Sequence, residues 1–228
     1  MSDHKPLDHT DIKRFYEDRY YRNADVPAGV SRYNSRLAQR LDIREGMEVL
    51  DVACGTGRWL LAAQRAGAKP AGIDLSETAI TICRKTLPDG EFHTGPAETL
   101  PFEDNRFDLV TCLGSLEHFL DPHSALQEMV RVAKPDANFL VLVPNAGFLT
   151  RRLGFYSGTQ QASAREEVLP LSEWNDMFES AGLQVTKRWK DLHVLSWTWI
   201  GNDGWTKVPM RFAQAASLPF WPLQWQYQ

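Results

Sequence analysis

"VLDVACGTGRWL", residues Val49–Leu60, decides how this chain is read. Val49 to Ala53 form a short apolar run around one acid, the mark of a strand buried on both faces. Gly55 and Gly57 then permit a tight turn. "RWLLAAQRAG" follows as a helix stopped by Gly67. A strand, a glycine turn and a helix in that order point the first helical N–H groups at a ligand, and the question is which ligand.

A nucleotide phosphate needs G-x-x-x-x-G-K-[ST], with the lysine on the phosphates and the hydroxyl on magnesium. Arg58 and Trp59 follow Gly57, so neither is present. A dinucleotide needs G-x-G-x-x-G, whose third glycine lets helix and strand pack closely. That position is Leu60, which disfavours a nicotinamide-dependent reductase. S-adenosylmethionine makes different demands. Its amino-carboxylate tail needs N–H donors and a nearby acid, and its ribose diol needs a carboxylate. Gly55 and Gly57 allow close backbone approach, and the helix N-terminus favours the carboxylate. Asp51 can hold the ammonium, directly or through water. Asp74 stands about 20 residues on, where a carboxylate receives ribose hydroxyls.

Outward from this stretch, strands and helices alternate. Residues 11–45 read as helical. "PAGIDL" is a second strand, and "SETAITICRKTL" is a helix capped by Ser76 and ended near Pro88. "EFHT" and "RFDLVTCL" are the third and fourth strands. "HSALQEMVRVA" is a helix ended before Pro135, and "NFLVLVPN" is a fifth strand. The alternation predicts a parallel sheet covered on both faces. Residues 146–170 are a polar, glycine-bearing connection, long enough for a functional loop or lid. "LSEWNDMFESAG" is a helix capped by Ser172 and stopped by Gly182. "LQVTKRWK" predicts a sixth strand and "WPLQWQYQ" the start of a seventh, with 191–221 inserted before it.

A chain of 228 residues can bury a core without staples. Cys54, Cys83 and Cys112 lack ligand spacing and suit a reducing, cytoplasmic compartment. A net charge of −4 with no long basic run gives nucleic-acid binding no electrostatic support. "MSDHKPLDHTD" lacks the apolar core of a signal peptide, and no apolar run is long enough to span a bilayer. No close histidine–carboxylate set has ligand spacing, so no metal is expected. Trp197, Trp199, Trp205, Trp221 and Trp225 crowd the last stretch. They read first as core of the insertion and lining of an apolar acceptor pocket. Membrane-interface contact is the further reading, and basic residues are sparse there.

Five segments stand in one order and spacing: "VLDVACGTG" (49–57), "GIDLS" (72–76), "GPAETLPFEDNRFDLV" (95–110), "LGSLEHFLDP" (113–122) and "ALQEMVRVAKPDANFLVLVPN" (125–145). Together they resemble the class I S-adenosylmethionine-dependent methyltransferases. The branch is the small-molecule one that includes the ubiquinone and menaquinone biosynthesis enzymes. The resemblance implies an α/β fold: a doubly wound, mostly parallel seven-stranded Rossmann-like sheet with helices on both faces. It puts the cofactor at the carboxyl ends of the strands. It implies S-adenosyl-L-methionine as methyl donor and S-adenosyl-L-homocysteine as product. The implied cofactor contacts are Asp51, Ala53, Gly55, Gly57, Asp74, Leu75, Ala97, Glu98 and Leu113. Ala53 replaces the family's first glycine. Pro96 replaces an acid that often meets the adenine amino group and lacks an N–H, so Ala97 N–H, with Glu98 beside it, takes that contact. Tyr16, Tyr20 and Tyr21 in "FYEDRYYRN" either cover the cofactor or pack a helix on the sheet.

Glu117 and His118, after the fourth strand, are the candidate catalytic residues. An attacking hydroxyl holds its proton tightly, so a base at hand helps. Histidine as a residue type exchanges protons near neutrality. The other role open to the pair is to shape the turn. His193 is a weaker candidate, His93 reads as structural and His123 as a helix-start residue.

The expectation is therefore an enzyme with an N-terminal helical cover (1–45) and a core (46–190) whose lid is 146–170. Residues 191–228 form an aromatic-rich insertion and last strand of the same domain. It moves a methyl group by in-line displacement to a small-molecule acceptor, a hydroxyl oxygen of an apolar, aromatic or glycoconjugate substrate. It acts as a monomer or homodimer, with peripheral membrane contact left open. Cofactor binding without catalysis is the alternative, and Glu117 and His118 weigh against it.

Overall fold

The computed structural model describes residues 8–147 and 166–189. They form two compact units, residues 8–142 with 166–167, and residues 143–147 with 168–189. The division after Leu142 falls inside the span 46–190 expected for the core.

The first unit is built on five parallel strands: β1 (Glu48–Val52), β2 (Lys69–Asp74), β3 (Glu91–Thr94), β4 (Phe107–Leu113) and β5 (Ala133–Leu142). Their order is β3-β2-β1-β4-β5. Val49, Leu50 and Val52 are fully buried, as an apolar run between two neighbouring strands requires. The order reverses between β1 and β4, so a crevice opens at their carboxyl ends. Asp51 sits there, level with Gly72 on β2 and Thr111 on β4.

Helices α3 (Arg58–Arg65), α4 (Glu77–Thr86) and α5 (Pro122–Val132) connect the strands. Ser76 caps α4, its hydroxyl accepting the Ala79 N–H at 3.1 Å. Asp121 caps α5, Pro122 opens it, and His123 falls in its first turn. β5 starts at Ala133, ahead of the expected "NFLVLVPN". Phe107 pairs with Ala133 and Leu109 with Asn138, so Pro135 lies in the irregular stretch, where its missing N–H costs no ladder bond.

Residues 11–45 are not one helix. α1 (His9–Phe15) runs into a π-helical turn, Tyr16–Tyr20, and α2 (Arg32–Arg40) starts afresh with Ser31 as its cap. Pro27 and Gly29 fall in the gap, where a missing donor and a flexible backbone break helical continuity.

The close helix–strand approach absent from position 60 is supplied by a neighbouring strand. A Cβ on Gly72 would meet Cys54 Sγ at 2.7 Å and Leu60 Cδ1 at 3.1 Å. Gly72→Ala is expected to cost about 1–3 kcal/mol by overpacking. Denaturant unfolding checks this, and an unchanged midpoint would show that the contact yields freely.

In the second unit, α6 (Leu171–Ser180) begins at Pro170 rather than at Ser172. The Pro170 carbonyl already accepts the Trp174 N–H, which closes the first turn and leaves Ser172 inside the helix. Trp174 is 1% exposed and donates its indole N–H to the Pro144 carbonyl at 2.8 Å. The expected sixth strand does not form: residues 183–189 lie outside any strand. Most of them are exposed, so no buried face fixes a register for their alternation. Five strands of the expected seven are present among the described residues. The seventh strand, the 191–221 insertion with its tryptophans, His193 and residues 148–165 of the lid lie outside the described residues. No described helix is long and apolar enough to cross a membrane.

Candidate active site

A cavity of about 550 Å³ opens at the carboxyl ends of the strands. β1 contributes Asp51, β2 contributes Asp74 followed by Leu75, and β4 contributes Leu113. The glycine turn adds Ala53 and Gly55, and the loop after β3 adds Ala97 and Glu98. Tyr16, Tyr20 and Tyr21 form part of the wall, and His118 stands in the turn after β4. Fold topology thus gathers residues spread over more than a hundred positions.

Two sequence-chosen residues are not on the wall. Gly57 turns the chain into α3 at a φ of 73°, and a Cβ there would meet Cys83 Sγ at 3.0 Å. It serves the packing of the turn against α4, while Gly55 faces the cavity. Glu117 points inward from a short 3₁₀ turn, Leu116–His118, and is 2% exposed. It stands behind His118, with its Oε1 3.9 Å from His118 Nε2. Tyr20 is half-exposed at the rim, whereas Tyr21 is buried. The Tyr21 hydroxyl lies 3.0 Å from where a Gly55 Cβ would be, so any larger residue at 55 fills the cradle.

The turn offers donors. Gly57 leaves α3 without a side-chain cap, so its first N–H groups are open to an anion. The strand ends offer acceptors. Asp74 accepts the Gly55 N–H at 2.8 Å and the Ser76 N–H at 2.9 Å, one on each oxygen, which leaves a lone pair on each. Burial pushes its carboxyl up to about 6, those two amides pull it back, and Glu17 raises it. Burial pushes Asp51 up to about 7, against the Thr111 hydrogen bond and together with repulsion from Asp74. Glu98 accepts the Leu120 and Asp121 N–H groups and meets His9 at 3.2 Å.

Burial also pushes Glu117 up to about 7, its own backbone N–H pulling down and Glu166 pushing up. Its Oε2 has no hydrogen-bond partner among the described residues. These three carboxyls share one consequence for stability. Free carboxyls titrate near 4. The folded protein therefore binds more protons than the unfolded chain between about pH 4 and 7, and stability falls as pH rises through that window. Glu17, Glu91, Asp108 and Glu128 are lowered instead, so their contribution is already complete above the unfolded values. Thermal unfolding without added cofactor is expected to show a Tm that drops from pH 5 to 8. Glu117→Gln is expected to flatten the drop, and an equally steep fall in that variant would remove Glu117 from the account.

Two neighbouring acids, open helical amides and a glycine cradle fit a ligand with a cationic group, a carboxylate and a diol. That is the polar outline of S-adenosylmethionine. Among the described residues no three metal-binding side chains gather.

The profile of the methyltransferase domain family matches residues 50–141. The demethylmenaquinone methyltransferase of Paenarthrobacter aurescens is 27% identical over 180 residues, 79% of this chain and 70% of that protein. The enzyme of the same name from Renibacterium salmoninarum is 33% identical over 170 residues, 73% of this chain and 69% of that protein. The crystal structure of YcgJ from Bacillus subtilis shares the fold, with a TM-score of 0.58 at 24% identity over 82% of this chain and 83% of that one. With these relatives beside the strand–turn–helix and its two acids, the chain belongs to the class I S-adenosylmethionine-dependent methyltransferases, in the small-molecule branch.

Proposed function

We propose that this methyltransferase transfers the methyl group to a hydroxyl oxygen carried by an apolar ring, and that His118 removes the hydroxyl proton. The observation that carries this reading is His118 on the cavity wall with the buried Glu117 carboxyl 3.9 Å behind it. Two of the relatives are named for demethylmenaquinone, which brings an apolar quinone-type ring to this chain as acceptor class.

Bound S-adenosylmethionine supplies an electrophilic methyl group on sulfonium sulfur. The chain's residues do the rest. The first N–H groups of α3 hold the carboxylate of the tail, and Asp51 holds its ammonium. Asp74 takes the ribose diol, and the Ala97 N–H meets the adenine. Gly57 supports the turn from behind. Holding the acceptor in line with methyl and sulfur supplies much of the rate, because alignment replaces a bimolecular search. His118 would accept the hydroxyl proton as the oxygen–methyl bond forms and the sulfur–methyl bond breaks, with S-adenosylhomocysteine as the leaving group. Glu117 stabilises the resulting imidazolium.

Transfer of label from methyl-labelled S-adenosylmethionine tests the acceptor class. A panel of demethylmenaquinol, a simple catechol and an alkyl glucoside separates the readings. Labelling of the two ring hydroxyl compounds as methyl ethers, and not of the glucoside, is expected, and label found on a ring carbon would overturn the oxygen attack. Labelling of the glucoside alone, or of none, would overturn the proposal.

A further inference from the structure

We propose that Thr111, aimed by the Trp59 indole, is a positioning residue that holds the Asp51 carboxylate in place for the ammonium group of the cofactor. The proposal rests on the reading of Asp51 as the ammonium partner. Neither Thr111 nor Trp59 carries any spacing signal toward that role in the sequence.

Geometry makes the case. Asp51 and Thr111 are level with each other on the adjacent parallel strands β1 and β4, at the point where strand order reverses. Thr111 Oγ1 lies 2.6 Å from Asp51 Oδ1. That is the length of a hydroxyl donating to a charged carboxylate. Trp59, in the first turn of α3, has its Nε1 3.1 Å from the same Thr111 oxygen. All three side chains are buried: Asp51 is 3% exposed, Thr111 0% and Trp59 4%.

Direction follows from the donor inventory. An indole N–H can only donate, and a threonine hydroxyl has one proton. Thr111 must therefore accept from Trp59 and spend its proton elsewhere. Its other acceptor, the Leu50 carbonyl, is at 3.2 Å, beyond the usual range for a hydroxyl donor. The proton goes to Asp51. The chain Trp59 to Thr111 to Asp51 is thus ordered, every link buried, and it ends on a carboxylate that lines the cavity.

The same bond favours the ionised carboxyl. Facing Asp51 are Asp74 on β2, Cys112 on β4 and Cys54 in the turn. Burial holds the Cys112 thiol well above its usual range, and the contact with Cys83 together with burial does so for Cys54, so both stay neutral. Burial, and to a lesser degree Asp74, push the Asp51 carboxyl up, and Thr111 is the group that pulls it down. Losing the hydroxyl moves the carboxyl further up. Ammonium binding then demands a higher pH.

Calorimetric titration with S-adenosylhomocysteine and with adenosine, which lacks the amino-acid tail, tests this across pH 6 to 8.5. Thr111→Val is expected to weaken S-adenosylhomocysteine roughly ten- to hundredfold at pH 7, in proportion to one charge-assisted hydrogen bond. The loss is expected to shrink at pH 8.5, Thr111→Ser to restore affinity, and adenosine to bind as before. Trp59→Phe, which keeps an aromatic ring and removes the donor, should show the same pattern more weakly and serves if the valine variant does not fold. Asp51→Asn separates the two levels. If it leaves S-adenosylhomocysteine affinity unchanged, the ammonium reading of Asp51 fails. If it weakens binding while Thr111→Val does not, that reading stands and the role of Thr111 is overturned. Equal losses for adenosine and S-adenosylhomocysteine in Thr111→Val also overturn it, because a merely structural residue would produce them.

Discussion

Asp74→Ala is expected to raise the Kd for S-adenosylhomocysteine by about a hundredfold or more. The carboxylate has two duties. It accepts the Gly55 and Ser76 N–H groups, so it holds the glycine turn against the start of α4. On the proposed reading, its remaining lone pairs are the acceptors for the ribose diol. Alanine removes both, leaving two backbone donors in a largely buried place. Hydrogen bonds to a charged group contribute about 1.5–3 kcal/mol each, so two lost ribose bonds alone approach two or more decades in Kd. The two duties can be separated. A 2′,3′-dideoxy analogue of S-adenosylhomocysteine has no diol to lose, so the part of the defect that persists with it measures the turn. Titration of both ligands into both proteins gives the split. Unchanged affinity for the natural product would reject the ribose assignment, and an identical defect with the dideoxy analogue would assign Asp74 to the turn alone.

The strand–turn–helix was legible because each part leaves a local mark: an apolar run for β1, glycines for the turn, a helical stretch ended by Gly67. The two acids were legible as a pair because each stands at the carboxyl end of its strand, Asp51 one residue before the end of β1 and Asp74 at the end of β2, and both line the cavity. What local marks cannot carry is register. Thr111 meets Asp51 only because β4 pairs with β1, and Trp59 meets Thr111 only because α3 packs back on that pair. Gly72 is the same case: its role is set by Leu60 and Cys54 against it, and a lone glycine in a strand says nothing of its neighbours. "LQVTKRWK" failed in the opposite way. It has the alternation of a strand, but residues 183–189 lie outside any strand and most of them are exposed, and alternation without a buried face fixes nothing. The N-terminal stretch kept its helical composition, yet its first helical run ends at Tyr20 and the next starts at Arg32, with Pro27 and Gly29 in the gap keeping the two apart.

His118→Ala is expected to lower kcat with a phenolic acceptor by about 10²–10⁴, the usual contribution of a positioned base, while leaving S-adenosylhomocysteine affinity nearly unchanged. His118 is buried yet reaches the cavity, and its neighbour Glu117 has no other charged partner as close among the described residues. Glu117→Gln tests the second half of the pair. A carboxyl kept buried with an oxygen unpaired costs stability, and a residue that costs stability is expected where function needs it. The glutamine should therefore raise the Tm at pH 8 and lower kcat together. If Glu117 acts through His118, the double variant turns over no more slowly than His118→Ala alone, because removing the supporting group matters only while the base is present. Additive losses in that cycle would give Glu117 an independent role at the acceptor. Full turnover of His118→Ala with a ring hydroxyl would leave alignment of the acceptor as the protein's whole contribution to the chemical step.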